Sequence, residues 1–115
     1  MSDNVTFEGS PTGIARQRIN NAAASGDTTV VAAVAVRTVR VYGLRLSAAA
    51  ATVVQVKDGA GTVLEQFNFA ASGGNVDLAL RGSPYYLTTQ GNALIINSSN
   101  AVQVDGQLEY SNTGA

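Results

Sequence analysis

The sequence predicts an all-β fold: a single-domain β-sandwich of about eight short antiparallel strands, with a jelly roll as the favoured arrangement. Short segments that alternate apolar and polar side chains recur along the chain, separated by turns rich in Gly, Asn and Ser. No segment has the period of an amphipathic helix. The 115 residues suit one compact domain. An up-and-down arrangement of the strands is also compatible with the hairpins near Gly59 and Asn100.

The first 13 residues differ from the rest of the chain. They show no sustained alternation of apolar and polar residues, and near their end Pro11 and Gly13 interrupt regular secondary structure. We therefore expect residues 1–13 to form a flexible N-terminal arm that becomes ordered only against a partner, and residues 14–115 to form the sandwich.

Two strands are predicted in the first third of the sandwich. Residues 14–21 alternate polar and apolar side chains and have the character of an edge strand. Residues 22–26 are small and predict a connection. Residues 27–36 are rich in Thr and Val, which predicts a strand buried on both faces because these side chains disfavour a helix.

The next strand carries a change of phase. In residues 38–47 the apolar positions are Val39 and Val41 before Gly43, but Leu44 and Leu46 after it. One extra residue moves every later side chain to the other face, so a β-bulge is predicted at Gly43. The alanines of residues 48–51 predict either a helical turn or a loop.

A hairpin is predicted in the middle of the chain. Residues 52–57 alternate, and Asp58-Gly59 supplies the positive φ that tight turns need. The return strand, residues 63–69, places four side chains on one face: Val63, Glu65, Phe67 and Phe69.

The last strands are predicted at residues 76–80, 85–89, 93–97 and 102–110, with turns between them. The final one alternates for nine residues, which predicts one packed face and one wet face. Its packed face holds Val102, Val104, Gly106, Leu108 and Tyr110. The tail, residues 111–115, is expected to fray.

The missing residue types exclude several kinds of chemistry. The chain has no His and no Cys, so a Ser-His-Asp triad, an imidazole or thiolate metal site and a disulfide are all excluded. Its longest apolar stretch, residues 30–36, is far shorter than a membrane span, and its start does not resemble a signal peptide. We expect a soluble protein that folds in a reducing cytosol.

Charge is unevenly distributed although the net charge is only −1. Residues 14–45 hold five Arg against one Asp, residues 1–13 hold Asp3 and Glu8, and residues 46–115 hold two cations against five carboxylates. A cationic strip of this kind suits an acidic protein partner or a neighbouring copy of the chain. A scatter of Arg over a solvated surface explains it equally well.

The carboxylates and glycines do not form a recognisable active site. Asp58 lies in a turn, while Asp77, Asp105 and Glu109 occupy outward strand positions, and only Glu65 shares a face with aromatic residues. A glycosidase needs two facing carboxylates, and a calcium loop needs clustered ones. We therefore predict no enzyme, and assign no catalytic residue, cofactor or metal ligand. Nucleic acid and membrane partners are not expected.

Two tyrosines after Pro84 allow two interpretations. Tyr85-Tyr86 could form a binding platform, or could belong to a strand that enters the core at a sheet edge, which is the favoured interpretation.

Five segments of residues 30–110 share a distinctive residue pattern. They are Val39-Arg40-Val41-Tyr42-Gly43-Leu44-Arg45-Leu46-Ser47, Thr52-Val53-Val54-Gln55-Val56-Lys57-Asp58-Gly59, Gly82-Ser83-Pro84-Tyr85-Tyr86-Leu87-Thr88-Thr89, Gly91-Asn92-Ala93-Leu94-Ile95-Ile96-Asn97 and Val102-Gln103-Val104-Asp105-Gly106-Gln107-Leu108-Glu109-Tyr110. In this pattern, which covers about 80 of 115 residues, the chain resembles the small capsid decoration, or cement, proteins of tailed phages.

The resemblance implies a structural virion protein. Such a protein forms a homotrimer on the outer surface of the capsid, bridges copies of the phage major capsid protein and stabilises the shell, after folding in the host cytoplasm. Pro11, Arg16 and Arg18 are the expected capsid contacts. The alternative is a carbohydrate- or receptor-binding module of a phage head or tail, and a glycoside-cleaving enzyme is the third class.

Overall fold

The computed structural model describes residues 14–114 of the chain, and this part consists of strands and loops. Within it, no helix is long and apolar enough to cross a membrane. The strands are β1 (Ala15–Asn20), β2 (Gly26–Val31), β3 (Arg37–Ala48), β4 (Thr52–Asp58), β5 (Thr62–Phe69), β6 (Gly74–Leu78), β7 (Tyr86–Leu87), β8 (Leu94–Ser98) and β9 (Val104–Gly114).

The strands form two antiparallel sheets that pack face to face. Sheet 1 has the order β1-β9-β3-β6, with the short β7 also paired to β3, and sheet 2 has the order β2-β8-β4-β5. With β7 set aside, the eight remaining strands form two interlocked Greek keys, which is the topology of a jelly roll. The predicted all-β sandwich is confirmed.

The core lies between the sheets and is built from medium-sized side chains. Every second residue of the central strands points inward, for example Val54 and Val56 on β4 and Val104 and Leu108 on β9. These four side chains are almost completely buried. Leu64, Phe67 and Phe69 of β5 close one side of the core while staying partly exposed.

The predicted bulge in β3 is confirmed. Val41 pairs with Tyr110 and Gly43 with Glu109, so Tyr42 is the extra residue. A Cβ atom on Gly43 would lie 3.2 Å from the backbone N and Cα of Leu80 and would require the Glu109 carboxylate to move, so a glycine suits this position after the bulge.

The prediction of a strand buried on both faces over residues 27–36 was wrong in burial and in length. β2 is an edge strand of sheet 2, with Asp27 and Thr29 exposed and only Val30 and Val31 buried. β2 ends at Val31, whose partner on β8 is Leu94, the first residue of that strand. Beyond Val31 there is no further partner, so the chain leaves sheet 2, and residues 32–36 form an exposed loop before β3.

The predicted face of β5 was wrong at one residue. Val56 pairs with Glu65 and Lys57 with Val63, so a second bulge falls at Leu64. Leu64 therefore packs against the core and Val63 is exposed, while Phe67 and Phe69 point inward as predicted.

The end of the chain also differs from expectation. Residues 111–114 continue β9, because β3 is long enough to pair with them: Arg37 faces Gly114 and Arg40 faces Ser111. The predicted fraying of residues 111–114 was therefore wrong. Residues 49–51 form a loop with bends, which decides between the two interpretations of the alanine run.

Candidate interaction surface

Arg16 and Arg18 lie on β1, on the outer face of sheet 1, where the sequence places a polar edge strand. Their guanidinium groups face the acidic side chains of the neighbouring strand β9. Arg16 Nε is 3.7 Å from Glu109 Oε2, and Arg18 Nη2 is 3.5 Å from Asp105 Oδ1. The structure therefore brings both predicted contact residues together on one surface, and pairs each with a carboxylate of the same chain.

A third pair extends this pattern across the sheet. Arg45 Nε on β3 is 3.7 Å from Asp77 Oδ1 on β6. Strands that carry Arg and strands that carry carboxylates thus alternate across the outer face, and part of the cationic strip faces the chain's own acidic strands. The pairs of Arg18 and Arg45 are exposed on both sides and contribute only about 0–1 kcal/mol each, so these two arginines can exchange partners at little cost. In the Arg16 pair the Glu109 side chain is only 13% exposed. Pro11, the third predicted contact, lies outside the described residues.

The most unusual surface is one that the sequence interpretation assigned to the core. Residues 32–36, here called the apolar loop, carry only Ala and Val side chains, and all five residues are exposed. Val34 is 43% exposed and Val36 is 70% exposed. Leu87 on β7 adds another exposed apolar side chain, 47% exposed, beside Arg40. A run of exposed apolar residues like the apolar loop is typical of interaction sites.

The apolar loop is held in a defined conformation. The Arg37 backbone N–H donates to the Val34 carbonyl at 3.1 Å, and the Gln90 side chain donates to the Val36 carbonyl at 3.0 Å. Val36 has a φ of 57°, a left-handed conformation that a β-branched residue rarely adopts. The surrounding hydrogen bonds therefore hold a strained, exposed valine in place, and such strain is concentrated at functional positions.

Three arginines lie outside the ion pairs. Among residues 14–114, no carboxylate pairs with Arg37, Arg40 or Arg81. Arg37 donates to the Asn112 carbonyl, Arg40 to the Thr113 hydroxyl, and Arg81 lies over the Tyr85 ring at 3.7 Å. Arg37 and Arg40 belong to the first strand after the apolar loop, so cationic and apolar side chains adjoin at this end of the sandwich.

Asp58 is not the solvated turn residue that the sequence predicts. It is buried, and its carboxylate accepts hydrogen bonds from the Thr89 backbone N–H at 3.0 Å, the Thr89 hydroxyl at 2.7 Å and the Asn92 amide at 2.9 Å. Burial alone would raise the pKa of Asp58, but these hydrogen bonds outweigh it and lower that pKa below its ordinary value. Its place in the fold is structural.

Glu65 shares the inner face of β5 with Phe67 and Phe69, as predicted. Its Oε1 accepts a hydrogen bond from the Tyr86 hydroxyl at 3.3 Å. Tyr86 is a buried member of the core and Tyr85 packs against it. The favoured interpretation is confirmed for Tyr86, which lies on β7 beside β3 and is buried in the core, whereas Tyr85 precedes the strand and is half-buried.

Acidic side chains are not gathered into a larger cluster. Among residues 14–114, there is no group of three or more Asp or Glu that could hold a metal ion. A shallow depression of about 550 Å³ lies between β5 and β6, lined by Phe67, Phe69, Asn68, Asn75 and Val76 among others. The chemistry these surfaces can perform is recognition, through apolar contact, guanidinium groups and amides.

Sequence reasoning missed the apolar loop because its composition matches that of a buried strand. Valine is no signal here, because seven of the fifteen residues of the buried core are also Val.

Comparison with known proteins leaves the family of this chain open. No protein-family model matches the sequence, and no curated protein is significantly similar to it.

Proposed function

We propose that the protein is a structural virion protein, which binds the outer surface of a phage capsid as a homotrimer and stabilises the shell. Two things support this proposal: the resemblance of residues 30–110 to capsid decoration proteins, and the exposed apolar and cationic end of the sandwich. The partners are other copies of the chain and the major capsid protein. The protein acts on the outside of the virion after folding in the host cytoplasm.

The apolar loop is the observation that carries this proposal. A free protein gains nothing from five exposed apolar residues, one of which, Val36, is held in a strained conformation, whereas a subunit of an assembly gains binding energy when it buries them. Fully burying a Val side chain is worth about 1.5–3 kcal/mol. Val34 and Val36 together can therefore contribute substantially to one contact.

The proposed mechanism is physical attachment to the capsid and involves no chemical reaction. A protein that binds only the closed lattice of the capsid stabilises that lattice through mass action. Three copies joined in a trimer present three contacts at once, so weak individual contacts combine into durable attachment. Arg16 and Arg18 remain predicted contacts, and the exposed ion pair of Arg18 can be exchanged for a carboxylate of a partner.

The first experiment is the mass of the purified protein in solution, by size exclusion with light scattering. The proposal expects a stable species of three times 11.8 kDa. The second is co-sedimentation with expanded heads of the encoding phage that lack this protein. A monomer that does not sediment with these heads would refute the proposal.

A matched pair of variants locates the contact. Val34→Ser with Val36→Ser should weaken head binding by about tenfold or more, which corresponds to about 1.4 kcal/mol. Val63→Ser is the control, because Val63 is 46% exposed but lies on β5, at the opposite edge of sheet 2 from the strand that enters the loop. Equal binding by both variants would remove the apolar loop from the contact.

Deletion of residues 2–13 tests the arm. Loss of head binding is expected if Pro11 and its neighbours contact the capsid. Unchanged binding by the truncated protein would remove the arm from the contact.

A carbohydrate-binding role is the second candidate. The depression between β5 and β6 combines two aromatic rings, Phe67 and Phe69, with the amides of Asn68 and Asn75, a mixture that suits apolar and hydrogen-bonding contact with sugars. A glycan screen tests it, with Asn68→Ala as the variant, because Asn68 is exposed whereas Phe67 and Phe69 also pack against the core. Specific binding that this variant abolishes would favour the carbohydrate role over the capsid role.

A further inference from the structure

The apolar loop and the depression between β5 and β6 lie at opposite ends of β3. The loop ends at Val36, which precedes Arg37, the first residue of that strand. The depression is lined by Gly74, which pairs with Ala48, the last residue of that strand. A strand of 12 residues is about 35 Å long. The loop therefore cannot reach the depression of its own chain, and a contact between these two surfaces joins different copies.

The two surfaces are complementary in chemistry. The loop presents apolar side chains to the outside, with Val36 70% exposed. The depression is lined by Phe67, Phe69 and Val76, which pack against the core but remain half-exposed. Its volume of about 550 Å³ falls in the range of pockets that hold a small ligand, so it has room for the valines of the loop.

The depression has an unpaired carboxylate beside it. Residues 14–114 hold six carboxylate side chains, of which four form ion pairs within the chain and Asp58 is buried among hydrogen-bond donors. The sixth, Glu65, is exposed, and no cation of this part of the chain pairs with it. Glu65 lies two residues before Phe67 on the same face of β5, about 7 Å along the strand.

The apolar loop has an unpaired cation beside it. Arg37 follows Val36 directly and is exposed, and within residues 14–114 its guanidinium group donates only to the Asn112 carbonyl. A guanidinium group has five N–H donors, so most of them are free for a carboxylate. Each surface thus combines apolar side chains with one charge, and the two charges are opposite.

Contacts between two identical surfaces are disfavoured by these charges. Two loops would bring Arg37 against Arg37, and two depressions would bring Glu65 against Glu65, whereas a loop on a depression pairs Arg37 with Glu65. A contact of this third kind uses a different patch on each copy. Such heterologous contacts close into a ring when the rotation between neighbours allows it.

We propose that the apolar loop of one copy binds the depression between β5 and β6 of the next copy, and that three such contacts close the homotrimer. Val36 packs on Phe67 and Phe69, and Arg37 pairs with Glu65. This inference rests on the proposed function and names the surfaces that form its trimer. The weaker head binding expected of the loop variants then follows from loss of the trimer, whose capsid contacts act together.

Disulfide crosslinking tests the contact directly, because the chain has no Cys of its own. Val36→Cys with Asn68→Cys places one thiol on the loop and one on the exposed lining of the depression. A disulfide needs Cα atoms about 4.4–6.8 Å apart, so this pair cannot close within one copy. After mild oxidation of the full-length protein, we expect crosslinked dimers and trimers on a denaturing, non-reducing gel. Absence of crosslinks, or a ladder that continues beyond the trimer, would overturn the proposal.

Two control variants distinguish this contact from random collision. Val36→Cys with Arg45→Cys is the matched pair, because the Arg45 side chain is 74% exposed but lies on the outer face of sheet 1. Val36→Cys alone tests for contact between two loops. Crosslinking by either control in the same yield as by the Val36 and Asn68 pair would overturn the proposal.

Charge exchange tests the ion pair across the contact. Arg37→Glu and Glu65→Arg should each weaken trimer formation about tenfold or more in analytical ultracentrifugation, since each brings like charges together. The two changes combined restore an opposite pair and should recover the trimer. Arg81→Glu is the control, because Arg81 also lacks a carboxylate partner within residues 14–114 but lies against the Tyr85 ring. A combined variant as weak as the single ones would contradict the contact.

These measurements use the free protein, so their failure differs from failure of the capsid role. A trimer crosslinked through loop and depression supports the inference even if it does not bind heads, a result that would refute the capsid role alone. Head binding by a protein that forms no such crosslink would overturn the inference alone. A sugar bound in the depression of a protein that forms no crosslink would also overturn it, and would assign the depression to carbohydrate.

Discussion

The Asp58 carboxylate at the end of β4 accepts a hydrogen bond of 2.7 Å from the hydroxyl of Thr89, in the segment that follows β7. This contact joins sheet 2 to a segment associated with sheet 1. The next residue, Gln90, donates to the Val36 carbonyl in the apolar loop. A buried carboxylate therefore supports, through the adjacent residues Thr89 and Gln90, the loop that forms the proposed contact surface.

Asp58→Ala should destabilise the fold by about 2–3 kcal/mol at neutral pH. The change leaves the Thr89 and Asn92 donors without their charged acceptor, and hydrogen bonds to charged groups carry about that free energy. Urea unfolding measures it. Asp77→Ala is the control, because Asp77 is an exposed partner of Arg45 and its loss should cost at most about 1 kcal/mol.

The effect of Asp58 should depend on pH in a defined direction. Its pKa is lowered in the folded state, so its stabilising contribution is complete above the unfolded pKa of about 3.9 and is lost as pH falls through the folded pKa. The difference in unfolding free energy between wild type and Asp58→Ala should therefore shrink in acid. A difference that stayed constant down to about pH 2 would contradict the hydrogen-bond assignment.

Gly106→Ala should be among the most damaging single-methyl changes in the sandwich. A Cβ atom at Gly106 would collide with the Arg45 carbonyl oxygen and lie 3.1 Å from Leu46 Cα, both backbone atoms of the neighbouring strand. Overpacking against atoms that cannot rotate away costs about 2–3 kcal/mol. The measurement is the urea midpoint of unfolding.

Gly82→Ala is the matched control for Gly106. Nothing lies within 4 Å of the Cβ position at Gly82, so the same methyl group should be neutral or slightly stabilising there. Similar midpoints for the two variants would show that β3 and β9 can move apart, contrary to the close approach described here.

Tyr86→Phe tests the contact between the core and β5. Burial raises the pKa of the Tyr86 hydroxyl well above its ordinary value, and the nearby Glu65 carboxylate adds to the shift. Because the folded pKa is raised, the stability that comes from the neutral phenol is complete below pH of about 10 and is lost at higher pH. The phenylalanine variant should cost about 0.5–1.5 kcal/mol at neutral pH.

Alkaline unfolding provides the check on Tyr86. Wild type should lose stability between about pH 10 and 12 more steeply than Tyr86→Phe, so the two curves should converge. Parallel curves would show that Tyr86 ionises as freely in the folded protein as in the unfolded one.

Sequence predicted the sandwich because the inward and outward positions alternate in most strands. The first bulge was visible at Gly43, where the apolar phase changes. The second, at Leu64, was hidden because Val63 and Leu64 are both apolar and either could face the core. The face of a strand on which a residue lies can be inferred from sequence only where the two faces differ in polarity.

Properties that depend on a partner strand could not be predicted. Residues 32–36 have the composition of a strand but lie outside one because β8 begins opposite Val31. Residues 111–114 are polar but form a strand because β3 extends beside them. The ion pairs of Arg16 and Arg18 likewise depend on the register of β1 with β9, which a single sequence does not contain.

Val36→Asn should separate stability from function. Val36 is held at a φ of 57°, and a left-handed conformation costs an ordinary residue about 1–2 kcal/mol, whereas asparagine tolerates it. The side chain is 70% exposed, so little buried apolar contact is lost on substitution. The variant should therefore be more stable than wild type by about 1 kcal/mol in urea unfolding. In the proposed capsid-binding assay it should bind more weakly, because an apolar contact is replaced by a polar side chain.

Val34→Asn is the control for Val36→Asn. Val34 is 43% exposed in the same loop but does not have a positive φ. Its substitution should weaken binding without raising stability. If both variants bind more weakly and only Val36→Asn is more stable than wild type, the backbone strain at Val36 is retained for the contact. Undiminished binding by both variants would leave the strained loop without a role in assembly, and the capsid proposal would lose the observation that carries it.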